Sequence, residues 1–175
     1  MTLQLEVIKV DTRKEQIADI TTIRLKDKVY PFYMNLCYRT YPDADIIETW
    51  TEITHEEKKA ITLNRFASAH LPIRKGDVWV SHLYGSWANE AQLAQEPLRP
   101  GIKMIKNKDG IRNSHTAHAE VMISLDGKPK ENTGSVIGAA LCYSGNYKLF
   151  FDTDDSDYHH FFAGINEENS AYTLK

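Results

Sequence analysis

Polar and apolar residues alternate with a period of two along most of this chain. Leu3, Leu5 and Val7 alternate with Gln4 and Glu6. Phe32, Met34, Leu36 and Tyr38 fall on one face of a strand, with Asn35 and Arg39 on the other. In Ile47-Glu48-Thr49-Trp50-Thr51-Glu52-Ile53 the β-branched residues fill one face, while Glu48 and Glu52 flank Trp50 on the opposite one. Asp77 to Tyr84 is a further aromatic, β-branched run. Alternation of this kind predicts antiparallel strands with one face against a core. Val136 to Tyr143 differs, because Val136, Gly138, Ala140 and Cys142 oppose an equally apolar set, Ile137, Ala139, Leu141 and Tyr143. That pattern predicts a central strand covered on both faces.

The punctuation agrees with a β protein. Asp109-Gly110, Asp126-Gly127 and Gly145-Asn146 are turn pairs in which glycine or asparagine takes positive φ at little cost. Ser144-Gly145-Asn146 separates two strong strands and predicts a tight hairpin. Helical signal is confined to Trp87 to Gln95, rich in Ala, Glu, Gln and Leu, and Pro97 and Pro100 close it. With no internal repeat and no linker-like tract, the 175 residues predict one all-β domain of two packed antiparallel sheets.

Composition adds exclusions rather than chemistry. A net charge of −3 offers no basic face for nucleic acid or an anionic membrane. No apolar run approaches a membrane span, and MTLQLEVIKV lacks the apolar core of a signal peptide. The two cysteines, Cys37 and Cys142, sit in apolar strand-like runs and are expected to be buried thiols, not a disulfide framework.

Three clusters invite a chemical reading. His115 and His118, with Glu120 nearby, have metal-ligand character, but on an extended strand the two histidines point to opposite faces. His159-His160 meets the same objection. The acidic run Asp152-Thr153-Asp154-Asp155-Ser156-Asp157 suggests calcium, yet an EF-hand loop needs glycine sixth and a carboxylate twelfth, where Asp157 and Ala163 stand. A solvated hairpin tip between two aromatic strands is the expectation there. The sequence contains no G-x-S-x-G elbow and no phosphate-binding glycine loop. No metal, cofactor or catalytic residue is expected within the chain.

Five segments, in order, carry a resemblance. Ile47 to Ile53 resembles the I-E-T-W-T-E-I segment of family 36 α-galactosidases. Tyr84-Gly85-Ser86-Trp87-Ala88-Asn89-Glu90 is similar to their G-x-W-A-R-E segment, with Asn89 where arginine is usual. Leu98-Arg99-Pro100-Gly101-Ile102 resembles L-x-P-G-I, Tyr143-Ser144-Gly145-Asn146-Tyr147 resembles Y-S-G-N-F, and Ala163-Gly164-Ile165-Asn166 resembles a later G-I-N or G-I-D stretch. One departure is Asn113-Ser114-His115, which keeps the histidine of a serine-serine-histidine segment while Ala119-Glu120 replaces its proline-phenylalanine pair.

The resemblance implies an N-terminal β-supersandwich of the galactose mutarotase type, preceding a (β/α)8 barrel that hydrolyses terminal α-galactosyl residues with retention. Such a barrel needs about 250 residues, so no catalytic aspartate maps onto this chain. It implies as partners the barrel of the same parent chain, neighbouring subunits of a homo-oligomer of up to four chains, and α-galactosides bound by the parent. The chain is expected to begin after a G-x-D-x-R-like segment and the first strands of the domain, and the parent fits a bacterial cytoplasmic enzyme. Trp87 and Trp50 are the candidate substrate or interface residues, whereas Trp79, between Val78 and Val80, is expected in the core. Two alternatives remain. One is a free-standing carbohydrate-binding module. The other is an aldose epimerase-like enzyme using His115, His118 and Glu120, which rests on fold analogy.

Overall fold

The computed structural model describes residues 3–74, 76–112, 115–168 and 172–175. Among these the structure is all-β, with antiparallel sheets and one short 3-10 turn, Pro42–Ala44. Contacts gather the chain into two compact units, one of residues 1–69 with 170–175 and one of residues 70–169.

The first unit is built on a four-stranded meander, β1 (Leu5–Lys14), β2 (Asp19–Asp27), β3 (Phe32–Tyr41) and β4 (Ile46–His55), in that spatial order. The connection from β3 to β4 is tight because Pro42 fixes the start of the 3-10 turn and Asp45 takes a left-handed φ of 51°. Pairing then runs without interruption from Tyr41↔Ile46 to Phe32↔His55. Ile20, Phe32 and Cys37 are buried in this unit, and burial pushes the Cys37 thiol upward. β5 (Ile61–Leu63) pairs with β14 (Tyr172–Leu174) as a separate ribbon.

One buried carboxylate sets the β2–β3 corner. Asp27 accepts hydrogen bonds from the backbone N–H groups of Tyr30 (2.8 Å), Val29 (2.9 Å) and Gln4 (2.5 Å). The Tyr30 bond, aided by the other two and opposed by burial, holds the Asp27 carboxyl below its ordinary range.

The second unit contains two four-stranded sheets. One has the order β11 (Val136–Ala140), β10 (Ala117–Ser124), β7 (Trp79–Ser86), β8 (Asn89–Pro97). The other has the order β6 (Ala69–Ile73), β13 (His159–Ile165), β12 (Tyr147–Thr153), β9 (Gly101–Lys106). β12 is buried on both of its faces, and β10 and β12 come into contact between the sheets. Val80, Val121 and Ile123 fill the first inner face, and Leu149, Phe151, Phe161 and Ile105 the second. Phe151 and Phe161 are cross-strand partners with ring centroids 4.9 Å apart. Burial, with the Glu120 charge adding, pushes the Tyr147 phenol up to about 12.

Where β9, β12 and β13 stop pairing, three asparagines take over. Asn107 donates its side-chain amide to the carbonyls of Gly110 (3.0 Å) and Gly145 (3.3 Å). Asn166 donates to the Asn107 carbonyl (3.1 Å), and the Gly110 N–H donates to the Asn146 side chain (2.8 Å). Asn107 and Asn166 are almost fully buried.

Several expectations are corrected. Trp87 to Gln95 is not helical; Asn89–Pro97 is a strand whose pairing with β7 overrides the helix-forming composition. Val136 to Tyr143 is not central, since β11 ends at Ala140 and lies on a sheet edge, paired with β10 alone. Its residues alternate between exposed and half-buried, because small side chains on both faces fit an edge as well as a centre. Ser144-Gly145-Asn146 is not a hairpin but part of the passage from β11 in one sheet to β12 in the other. Cys142 is exposed, as it lies beyond the end of β11, whereas Cys37 is buried as expected. Trp79 is half-buried, not a core residue; its indole N–H donates to Asp77 (3.1 Å) and Lys128 lies over its ring. The acidic run does cap a hairpin between β12 and β13, with the Asp154 carboxylate accepting from the N–H groups of Ser156 and Tyr158.

Two measurements test this account. Replacing Asn107 by alanine leaves two carbonyls without donors and is expected to cost about 1–3 kcal/mol in chemical denaturation. A loss under about 0.5 kcal/mol would show that water replaces the amide freely. Because the folded-state pKa of Asp27 is depressed, its contribution is present above the unfolded carboxylate value and is lost as pH falls through the folded one. Asp27→Asn is therefore expected to lower Tm at neutral pH and to make the acid-side fall in Tm shallower; parallel Tm curves would contradict it.

Candidate functional site

The β7–β8 hairpin turns in two residues, Trp87 and Ala88, between the paired Ser86 and Asn89. Such a turn requires positive φ, and Ala88 supplies it at 58° despite its side chain. Glu90 offsets that cost by accepting the Ala88 N–H on its carboxylate (3.0 Å). Gly85 stands where a Cβ would meet the Asn89 carbonyl oxygen and the Glu90 Cα, each at 2.7 Å. The register also shifts between Tyr84 and Ser86, and Ala91 takes φ 58°. Gly85, Ala88 and Glu90 thus have structural reasons to stand where they do, and together they project Trp87 away from the sheet. Trp87 is 82% exposed, and among the described residues its indole N–H has no acceptor. Asn89, in the position where arginine is usual, sits beside it and is exposed.

Trp50 is different. It is half-buried on β4 opposite Cys37, and its indole N–H donates to the Glu52 carboxylate (3.2 Å). Arg39 lies 5.7 Å from its ring centroid and bonds Glu48 (3.2 Å), while Asn35 bonds Glu52 (3.0 Å). The Ile47 to Ile53 segment is therefore a cross-strand lattice in which both glutamates are engaged. The Asn35 bond, with Trp50 next, holds Glu52 below its ordinary range.

His118 Nδ1 lies 3.5 Å from Glu120 on β10, and no hydrogen bond or ion pair joins His115 to either. Asn113 and Ser114 lie outside the described residues. Among the described residues no three His, Cys, Asp or Glu side chains gather as a metal site would need. No described helix is long and apolar enough to cross a membrane.

The sequence reading missed a His82–Glu96–Lys103 cluster drawn from β7, β8 and β9. His82 Nε2 lies 3.4 Å from Glu96, and Lys103 reaches the same carboxylate oxygen at 2.6 Å. Burial works to raise the Glu96 pKa, but Lys103 and His82 outweigh it and the net shift is downward. Spacings of fourteen and seven residues carry no signal for this; pairing of β7 with β8 brings His82 to Glu96, and Lys103 reaches them from β9 in the other sheet. The asparagine clamp was missed as a unit, although Asn146 and Asn166 stand in two of the quoted motifs.

Comparison with known proteins agrees with the motif order. Residues 5–175 match the glycosyl hydrolase family 36 N-terminal domain. The chain is 29% identical over 163 residues to the α-galactosidase Mel36A of Lactobacillus acidophilus, covering 93% of this chain and 22% of that protein. It is 28% identical over 160 residues to the bifunctional α-galactosidase/sucrose kinase AgaSK of Mediterraneibacter gnavus, covering 91% and 17%. The solved structure of the galactosidase domain of AgaSK superposes with TM-score 0.91 at 25% identity, covering 99% of this chain and 26% of that one. The α-galactosidase AgaA of Geobacillus stearothermophilus, solved in complex with stachyose, shares the fold with TM-score 0.92 at 21% identity, covering 99% and 26%. The chain spans about a fifth of the length of the curated relatives it matches. By its matched residues, its motifs and its all-β fold, the chain belongs to the glycosyl hydrolase family 36 N-terminal domain family.

Proposed function

We propose that this chain is the non-catalytic N-terminal structural and interface domain of a longer α-galactosidase that releases terminal α-galactosyl residues with retention. The observation that carries it is the match of residues 5–175 to an N-terminal domain whose curated relatives, named α-galactosidases, are several times longer. The electrostatics support it. Retaining hydrolysis needs two carboxyls about 5–5.5 Å apart, one of them kept protonated near neutral pH. Asp27, Glu52, Glu96 and Glu168 are instead held below their ordinary range by hydrogen-bond donors and cations.

Within that reading Trp87 serves a surface of the intact enzyme. A projecting indole with an unmet N–H fits a neighbouring subunit's pocket or the apolar face of a sugar ring. Trp50, with its N–H already satisfied by Glu52, serves packing between β3 and β4.

The purified chain is expected to show no hydrolysis of an aryl α-galactoside beside an active full-length family enzyme. Turnover that survives repurification would overturn the proposal. Trp87→Ala is expected to change the chain's unfolding free energy by less than about 0.5 kcal/mol, as for an exposed site. In the longer parent it is expected to weaken subunit assembly or sugar affinity. A loss of about 3 kcal/mol or more in the isolated chain would make Trp87 a packing residue. Gly85→Ala is expected to cost about 1–3 kcal/mol, since backbone must move to admit the Cβ.

A further inference from the structure

We propose that the free edge of β1 is a self-association surface, where a second copy of this chain adds its own β1 antiparallel about a two-fold axis at Val10. β1 ends the four-stranded sheet of the first unit. It has β2 on one side and, among the described residues, no strand on the other. A free edge leaves the N–H and C=O groups of alternate residues pointing outward, a template for another strand. Val7, Ile8 and Val10 are 59%, 55% and 57% exposed along it. The inference stands on β1 alone and is independent of Trp87 and of the parent's activity.

The charges along β1 select the partner. Nine of its residues form the ladder with β2, and Ile8 is the extra residue of a bulge between Val7 and Lys9. That ladder puts Glu6, Lys9, Asp11 and Arg13 on one face of the sheet and Val7, Val10 and Thr12 on the other. Val10 is the middle of the nine. With Val10 opposite its own copy, Lys9 meets the copy's Asp11 and Glu6 meets the copy's Arg13, each twice by symmetry. A two-fold axis perpendicular to the sheet keeps each face on its own side, so the next registers are centred on Lys9 and on Asp11. Centred on Lys9, that residue faces itself and Glu6 faces Asp11. Centred on Asp11, that residue faces itself and Lys9 faces Arg13. One register attracts and both neighbours repel. Charges on an edge strand ordinarily block pairing with other chains. Arranged with opposite signs about Val10, they admit this strand in this register. Lys9 and Asp11 already pair along their own strand at 2.7 Å. The axis therefore joins two such pairs into a square of alternating charge. On the other face Val10 gains its copy and Val7 gains Thr12, extending the apolar row that Ile23 and Leu25 continue on β2.

The test is sedimentation equilibrium of the full chain. The expected result is a monomer–dimer equilibrium with a dissociation constant of about 10–100 µM, as suits an interface of one strand from each copy. It is expected to weaken about threefold or more between about 0.05 and 0.5 M salt. Lys9→Glu and Asp11→Lys are each expected to weaken the dimer about tenfold or more, and the double variant, which restores opposite charges, to recover it. A second reading is independent of charge. Paired Cα atoms about 4.5–5.5 Å apart lie in disulfide range. In a Cys142→Ser background, Val10→Cys is therefore expected to give a covalent dimer on mild oxidation, and Thr12→Cys, which lies opposite Val7, is not. Where a charge reversal lowers Tm, the cysteine variants decide. A chain that stays monomeric at about 500 µM in low salt would overturn the proposal. So would a dimer indifferent to both single reversals, a double variant no tighter than the singles, or cross-linking at Thr12→Cys as ready as at Val10→Cys.

Discussion

Three asparagines hold the second unit where its strands run out of partners. A sheet satisfies its own backbone only as far as pairing extends, and beyond that a buried carbonyl needs a donor from elsewhere. Asn107 follows β9, Asn146 precedes β12, and Asn166 follows β13. An asparagine both donates and accepts, so each can close a neighbour's backbone while its own is closed by another. With the ends tied, the registers Leu149↔Ile105 and Leu149↔Ala163 are fixed. A slip of one residue would exchange Leu149 and Phe151 for Lys148, Phe150 and Asp152 on that face. The apolar core of this sheet therefore depends on a polar clamp at its edge. Gly145 belongs to the same corner, since a Cβ there would collide with the ring of Tyr143.

Much of the fold was legible because a period of two is a local property. β3, β4, β7 and the aromatic β12–β13 pair follow from alternation, and the turns at Asp109-Gly110 and Asp126-Gly127 follow from glycines at φ 63° and 94°. What failed was everything that depends on the identity of a partner. Asn89 to Pro97 has helical composition, yet its backbone is claimed by β7, and propensity differences of a few tenths of a kcal/mol per residue lose to a ladder. Val136 to Ala140 has two apolar faces and still lies at an edge, because nothing in five small residues states how many neighbours they have. Ser144 to Asn146 has ideal hairpin chemistry and connects two different sheets. The asparagine clamp and the His82–Glu96–Lys103 cluster were invisible for a related reason: the first assembles through strand order and the second across two sheets.

The tryptophans show how one residue type divides by backbone context. Trp50 and Trp79 sit in strands, and each indole N–H finds a carboxylate two residues away in sequence, Glu52 and Asp77. An i, i+2 carboxylate on the same strand face is a local solution that needs no distant element. Trp87 has no such option. The turn that carries it consumes Glu90 in holding Ala88. Its exposure was readable from the loop context of Gly85 and Ser86, and the geometry adds why it is firmly presented: a two-residue turn with bulged flanks leaves few alternative conformations. Preorganised aromatic side chains are effective at interfaces because little entropy remains to be lost on contact.

Carboxylates divide in the same way, and that division bears on chemistry. A general acid needs surroundings that disfavour its charge, whereas Asp27, Glu52, Glu96 and Glu168 sit among groups that favour it. Asp27 has three backbone N–H donors, Glu168 has Lys106, and Glu96 has both Lys103 and His82. Each is thereby committed as an acceptor to the fold itself.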